Sequence, residues 1–359
     1  MSLDQQAQSD ERPADERPAE SQPAESHPPV SPHPPMSRQA MLKASALRIA
    51  KRFFSSWFRR ILLVAVLFGA AWTLYRNWPA VVGTIKKVPW EATAGSELAV
   101  ILGICVGTLA WQSIVDDLGE PIGVLRGAQI NLVGALGKYV PGSVWAYLLQ
   151  MELGRKAGLA RARVFTSSLI QFGVSLVVTV IAAALAIPAM FPHSAFAPLL
   201  YVLVAVGLAV LHPRILTWGV NLVLKVLRRK RLEQPLHLTA VIRTLVFQAG
   251  SYVLFGVQLW VMANAIGVVH GIGGFLLCVG AVAVGLNSGV IAFVLPSGAG
   301  VRDGVIVALL ITAMPYGPAL ALAVVSRLMF TVADVVTAGA AAGLARWRTP
   351  LPAAEAAGS

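Results

Sequence analysis

Long apolar runs alternate with short polar or charged segments along most of this chain. A helix needs about 20 apolar residues to cross a bilayer, and only helices or closed barrels satisfy their backbone groups there. We therefore interpret the runs as transmembrane helices. The pattern predicts six full spans, near residues 61–76, 97–115, 164–187, 196–212, 239–264 and 317–344.

Two further apolar segments, 118–156 and 272–314, are each interrupted at their middle by proline and glycine. The first break contains Pro141 and Gly142, and the second contains Pro296. Non-helical backbone at membrane depth persists only where it is buried in protein or lines a polar cavity. The breaks therefore predict two re-entrant helical hairpins whose tips share one cavity. The alternative is a cytoplasmic amphipathic loop for the first segment and two ordinary spans with a short connection for the second.

The two broken segments correspond to each other in sequence. Asn131 lies ten residues before Pro141, and Asn287 lies nine residues before Pro296. With each segment placed between two spans, the halves follow the same course in opposite directions. The prediction is an all-α, polytopic membrane protein of about six transmembrane helices and two re-entrant hairpins, arranged as an inverted-topology repeat.

Composition supports the membrane assignment and separates the ends of the chain. Hydrophobic residues make up 56% of the sequence and charged residues 13%, whereas a soluble domain has about 25% charged residues. The N-terminal end is rich in proline and glutamate and cannot form a core. We predict a disordered cytoplasmic tail at 1–38, a basic juxtamembrane segment at 39–60, a transmembrane domain at 61–345 and a short cytoplasmic tail at 346–359.

The basic residues of the predicted loops fall on one side of the membrane. The exceptions are Arg76, Lys86 and Lys87. Cytoplasmic loops of membrane proteins carry an excess of lysine and arginine, so this bias predicts that both termini are cytoplasmic. We expect a multi-pass protein of the cell membrane, the plasma or inner membrane. Because the positive charge is placed beside the membrane, no nucleic-acid partner is expected.

Each break offers groups that bind phosphate. A helix restarts after it, and the first turn of a helix has free backbone N–H groups and the positive end of the helix dipole. Lys138 and Arg302 add positive charge, and Arg302 can bind two phosphate oxygens at once. Snorkelling of both side chains to a water interface is the alternative. The expected substrate-binding residues are Asn131, Lys138, Pro141, Gly142, Ser143, Asn287, Ser297, Gly298, Gly300, Arg302, Asp303 and Arg327.

Further polar residues lie inside the predicted spans. Arg327 and Asp334 are seven residues apart, so they share one face of the last span. We expect them to flank the cavity, or to bind each other or Asp303. Gln171 and Gln248 are expected to form hydrogen bonds between helices.

The first broken segment carries a family resemblance. Residues 131–145, which include Lys138 and Pro141 and are followed by Gly154 and Arg155, resemble the hallmark of the lysylphosphatidylglycerol synthase transmembrane-region family. Members of this family are also described as flippase-like membrane proteins.

The second broken segment, residues 296–303, is similar to the proline, glycine-rich and acidic motif of the same family. Two positions depart from it: Asp303 stands where a glutamate is usual, and Ser297 where a glycine is commoner. Arg327 stands where the family often has an arginine in its last span. The resemblance covers roughly residues 60–345.

The resemblance implies lipid translocation, best exemplified by the flipping of aminoacylated phosphatidylglycerol. We expect a transporter, not an enzyme, that moves an anionic lipid, either a phospholipid or a polyprenyl phosphate, between leaflets without a cofactor. The six histidines form no pair at i, i+4 spacing, so no metal site is expected. Two alternatives remain open: a transporter of a small solute, and a non-transporting subunit that presents lipid to a partner enzyme, a glycosyltransferase or synthase.

Overall fold

The computed structural model describes residues 75, 78–140, 144–190, 197–226, 236–291, 298 and 300–348. The predicted N-terminal tail and juxtamembrane segment, and all of the first predicted span except Tyr75, lie outside these residues. The same holds for the C-terminal tail beyond Arg348.

Every regular element of the described residues is helical. Gln129–Val133 is a π-helix and Leu136–Tyr139 is a 3₁₀-helix. The α-helices are α1 (Trp78–Ile85), α2 (Trp90–Asp117), α3 (Val124–Ala128), α4 (Val144–Lys156), α5 (Arg161–Met190), α6 (Ala197–Val210), α7 (Pro213–Val226), α8 (Leu238–Ala265), α9 (Gly271–Ile291), α10 (Val301–Leu310) and α11 (Tyr316–Arg348).

Five of the described helices, α2, α5, α8, α9 and α11, are long and apolar enough to cross a membrane. Four of them coincide with predicted spans, those near 97–115, 164–187, 239–264 and 317–344. The all-helical, polytopic membrane fold predicted from the sequence is therefore confirmed.

The predicted span near 196–212 takes a different form. Helix α6 has 14 residues, which at 1.5 Å per residue is about 21 Å and too short for a bilayer core of about 30 Å. The chain bends by 84° and continues as α7, so that the two helices form a broken pair. Pro213 explains the bend, because proline cannot donate the hydrogen bond that would continue α6 but fits the first position of a new helix.

Helix α9 is longer than one limb of a re-entrant hairpin needs to be. It has 21 residues without a charged side chain, which is the length of a full span. The sequence pattern predicts instead that this stretch is the first limb of a re-entrant hairpin at 272–314. The second limb, α10, has 10 residues and is short, as a re-entrant limb should be.

The first broken segment is a hairpin whose limbs pack through glycines. A Cβ at Gly137 would lie 2.7 Å from the backbone of Ala146 on α4, and one at Gly134 would overlap Gln150. The earlier glycine, Gly134, lies beside the later residue Gln150, and Gly137 lies beside Ala146. The two limbs therefore run antiparallel. Neither limb is among the candidate spans.

The second hairpin, α9 with α10, has the same construction. A Cβ at Gly285 would lie 2.7 Å from Ile306 of α10, and one at Gly289 would lie 3.2 Å from the Cβ of Arg302. Glycines before each break thus allow the limb after the break to pack closely. The two hairpins share this packing, in agreement with the sequence correspondence between the two halves.

Helices α2 and α8, which precede the two hairpins, pack against each other in opposite directions. The Ser96 hydroxyl donates to the Gln258 carbonyl over 3.2 Å, and the Ser251 hydroxyl donates to the Gly103 carbonyl over 2.8 Å. Equivalent helices of an inverted repeat run antiparallel. The antiparallel packing of α2 and α8 therefore agrees with the predicted inverted repeat.

The predicted orientation can be tested by cysteine labelling in intact cells. In a background with both native cysteines replaced by alanine, a cysteine at Lys86 should react with a membrane-impermeant maleimide, and one at Lys156 should react only after permeabilisation. Both positions are exposed in the fold, so orientation and not burial controls the reaction. The reverse pattern would invert the assigned topology.

Candidate functional site

A cavity of about 350 Å³ lies where the two hairpins meet α5 and α8. Lys138 and Tyr147 of the first hairpin face it, as do Asn287, Gly298 and Arg302 of the second. The structure thereby brings predicted residues from both halves to the wall of one cavity.

Arg302 is the most unusual side chain of this wall. It is only 5% exposed, and its Nε and Nη2 atoms are buried without a hydrogen-bond partner among the described residues. Its guanidinium lies over the ring of Phe330, 4.2 Å from the ring centre. The aromatic face stabilises the cation but accepts none of its directed N–H groups.

Lys138 already has a carboxylate partner. Its Nζ lies 2.5 Å from Oδ2 of Asp334, a residue that is 6% exposed. The hydroxyl of Tyr139 donates to the same oxygen over 2.6 Å. The positive charge of Lys138 is therefore compensated within the protein.

Arg327 and Asp303 form a second ion pair, which joins α11 to α10. Asp303 also accepts a hydrogen bond of 3.3 Å from the backbone N–H of Gly300. Gly300 has φ of 82°, which is suited to glycine, and stands at the N-terminus of α10. Asp303 thus caps the helix and orients Arg327, while its Oδ1 is buried without a partner among the described residues.

One face of α11 contacts both hairpins. Arg327, Phe330 and Asp334 follow one another at helical spacing, and they contact Asp303, Arg302 and Lys138 respectively. The opposite charges within each ion pair compensate each other, so the charge of Arg302 is the one left uncompensated among these residues. Around the cavity, the described residues therefore carry one positive charge in excess.

The two predicted asparagines have parallel arrangements. Asn131 donates to Thr108 of α2 over 3.1 Å and accepts from Gln150 over 2.9 Å. Asn287 donates to Tyr252 of α8 over 2.7 Å and accepts from Ser175 of α5 over 2.9 Å. Each asparagine thus ties its hairpin to the span that precedes it. Asn287 lines the cavity, and Asn131 contacts it through Gln150.

Gly298 combines close packing with an uncommon backbone conformation. Its φ is 63°, and a Cβ at this position would overlap the backbone of Gly289. Gly298 therefore has a packing role in addition to its place on the cavity wall. The predicted site residues Pro141, Gly142, Ser143 and Ser297 lie outside the described residues.

Sequence reasoning did not pair Lys138 with Asp334, although both are ionisable groups within apolar sequence. Charged groups at membrane depth usually pair with each other, which was the available signal. It also missed Phe330 and Tyr252, which resemble ordinary apolar positions of a span. Gln171 and Gln248 do bond between helices, as expected, with 3.2 Å between Nε2 and Oε1, and they also line the cavity.

The fold and the cavity define a class: an α-helical, multi-pass membrane protein with a cationic cavity between two broken segments. The family follows from a direct comparison. The model of the lysylphosphatidylglycerol synthase TM region matches residues 57–338, so the chain belongs to this family. The resemblance seen in the two motifs is thereby confirmed, and it places the chain in a lipid-handling family of membrane proteins. A search of curated proteins finds none that matches the chain.

Proposed function

We propose that this protein is a transporter that moves a phosphate-bearing lipid between the leaflets of the cell membrane, with both termini in the cytoplasm. The phosphate enters the cavity between the hairpins while the acyl or prenyl chains stay in the bilayer. Such movement needs no covalent step, so the role is not enzymatic. A lipid-modifying enzyme that makes or uses the lipid is the expected partner.

The observation that carries this proposal is Arg302, a buried cation for which the described residues supply no ion-pair partner. A buried charge without a partner is costly, and removing one partner of a buried pair commonly costs several kcal/mol. Two nitrogen atoms of Arg302 have no hydrogen-bond partner among the described residues, and its side chain lines the cavity while also packing on Phe330. A phosphate would accept from both nitrogens in the bidentate geometry that guanidinium groups favour.

The position of Arg302 adds to its affinity for an anion. It is the second residue of α10, where the N–H groups of the first turn lack partners within the helix. The positive end of the helix dipole favours negative charge at this point. The cavity volume of about 350 Å³ is at the small end of the usual range for ligand sites, which suits a headgroup and not a whole lipid.

Replacement of Arg302 should weaken lipid binding and slow flipping. In proteoliposomes with a labelled anionic phospholipid, Arg302→Ala should bind about 10- to 100-fold more weakly, since hydrogen bonds to charged groups contribute about 1.5–3 kcal/mol. Arg302→Lys should recover only part of this affinity, because an ammonium lacks the planar pair of donors.

Arg243→Ala is the matched control for this experiment. It removes the same charge from an exposed position of α8 that is not on the cavity wall. Equal affinity in the Arg302→Ala and Arg243→Ala proteins, with both folded, would contradict the anion site. Binding without flipping above the protein-free rate would favour the lipid-presenting subunit. Uptake of a soluble anion without lipid binding would favour the solute transporter.

A further inference from the structure

The cavity wall has an unusual combination of ionisable and neutral groups. Two cationic side chains line it, Lys138 and Arg302, and among the described residues no aspartate or glutamate does. Lys138 is neutralised by Asp334 from outside the wall. Within the described residues, the wall therefore presents one net positive charge and no carboxylate to a ligand.

The rest of the polar wall is built from uncharged groups. Gln150, Gln171 and Gln248 contribute amides, and Tyr252 contributes a hydroxyl. They come from the first hairpin, α5 and α8, and they line the same cavity as Arg302. Amides and hydroxyls both donate and accept, which is the property needed to bind hydroxyl groups.

These neutral groups are held in place by bonds to one another. Gln171 donates to Gln248 over 3.2 Å and to the Gly107 carbonyl over 3.0 Å. The Ser168 hydroxyl donates to Gln150 over 3.0 Å. Fixed amides lose little conformational freedom when a ligand binds, so the wall is preorganised for a neutral polar group.

The net charge of the wall discriminates among phosphate lipids. A phosphodiester carries one negative charge, which Arg302 alone would compensate. A phosphomonoester carries about −1.5 to −2 at neutral pH and would leave negative charge unpaired in a buried site. An ammonium group would find no carboxylate on the wall and would lie beside Arg302 with like charge.

We infer that the ligand of this cavity is a phosphodiester lipid with a single negative charge and a neutral, hydroxylated headgroup, either a polyol or a sugar. Phosphomonoester lipids and lipids with cationic headgroups are discriminated against. The inference rests on the proposed function, because it assigns the chemistry of the same site. It differs from the aminoacylated, cationic headgroup that the family resemblance implied.

Competition between lipids with identical chains tests this assignment. Purified protein in detergent is loaded with a fluorescent phosphatidylglycerol, and dioleoyl forms of phosphatidylglycerol, phosphatidic acid, phosphatidylethanolamine and lysylphosphatidylglycerol are added as competitors. We expect phosphatidylglycerol to compete at least tenfold better than the other three. A hexosyl phosphodiester and a phosphomonoester of one polyprenol form a second pair, in which the diester should compete at least tenfold better. The tighter of the two diesters identifies the headgroup as polyol or sugar.

The variant Gln248→Glu tests the same assignment independently, by changing the charge of the cavity wall instead of the lipid. Glutamate keeps an acceptor for the bond from Gln171, so the local structure is retained, but it places a carboxylate on the wall. The variant should bind phosphatidylglycerol at least tenfold more weakly and lysylphosphatidylglycerol more tightly. Asn264→Asp, which adds a carboxylate at an exposed position away from the cavity, should leave both affinities unchanged.

The outcomes separate this inference from the proposed function. Phosphatidic acid or lysylphosphatidylglycerol competing as well as phosphatidylglycerol would overturn the headgroup assignment, while lipid binding itself would stand. An unaltered preference in folded Gln248→Glu protein would also overturn it. Failure of every lipid to bind the unmodified protein would contradict the proposed function as well.

Discussion

Lys138→Met should lower the free energy of unfolding by about 3 kcal/mol, the lower end of the range for removing one partner of a buried ion pair. The change leaves Asp334, which is 6% exposed, without its cation. The loss stays at the lower end because Tyr139 still donates to Asp334 and because Lys138 is itself 32% exposed. Equilibrium unfolding in mixed micelles measures the difference.

A double-mutant cycle shows whether the loss comes from the pair. Asp334→Asn should cost less than Lys138→Met, because Lys138 can reach water when its partner is gone. The double variant Lys138→Met with Asp334→Asn removes both charges of this pair, so no carboxylate at position 334 is left without its cation. It should therefore be more stable than Lys138→Met alone.

Arg155→Met is the control for the lysine substitution. It breaks a pair with Glu152 of similar length, 2.6 Å, in which both side chains are well exposed. Exposed pairs contribute about 0–1 kcal/mol, so this variant should be nearly neutral. Equal losses for Lys138→Met and Arg155→Met would mean that the pair with Asp334 contributes no more than a surface contact.

Gly298→Ala should destabilise the protein by about 2–4 kcal/mol. About 1 kcal/mol comes from a side chain in the left-handed backbone region, since φ is 63°. The remainder comes from overlap with the backbone of Gly289, because inserting atoms into a packed interior typically costs about 1–3 kcal/mol. Loss of the packing between α9 and α10 should also reduce lipid binding at Arg302.

Gly304→Ala is the matched control in α10, the helix that begins three residues after Gly298. Gly304 is exposed, has no atom within 4 Å of an added Cβ and has no positive φ. Alanine favours a helix interior over glycine by about 0.5–1 kcal/mol, so this variant should be neutral or slightly stabilised. A Gly298→Ala protein as stable as Gly304→Ala would refute the close contact between the hairpin limbs.

The sequence predicted most of the helical architecture because membrane spans follow a simple rule of length and polarity. It also located both breaks, since proline and glycine interrupt otherwise apolar runs. It failed at α6, where the apolar run continues through Leu211 and hides the end of the helix at Val210. Length alone also could not distinguish a long hairpin limb from a span, which is why α9 differs from its prediction.

The candidate site was less predictable than the fold. Arg302 and Lys138 were both recognised as charges beside a break, but only the structure distinguishes their states: Lys138 pairs with Asp334, whereas Arg302 has no ion-pair partner among the described residues. Asp334 lies 196 positions from Lys138 in numbering, and no local pattern specifies a contact at that separation. The amides of the wall, Gln150, Gln171 and Gln248, likewise depend on how three separate helices pack.

The last helix limits how the two hairpins can move. Asp334 forms an ion pair with the first hairpin, and Arg327 forms one with the second. The two residues lie about 10 Å apart along α11. Rigid-body separation of the hairpins must therefore break one ion pair or bend α11 between these residues. Breaking the pair with Lys138 would leave the carboxylate of Asp334 buried without its cation, which raises the energy barrier to opening by that route. Under the proposed function, an anion bound at Arg302 would change the electrostatic balance beside both pairs, so occupancy of the cavity and the height of that barrier would be coupled through α11.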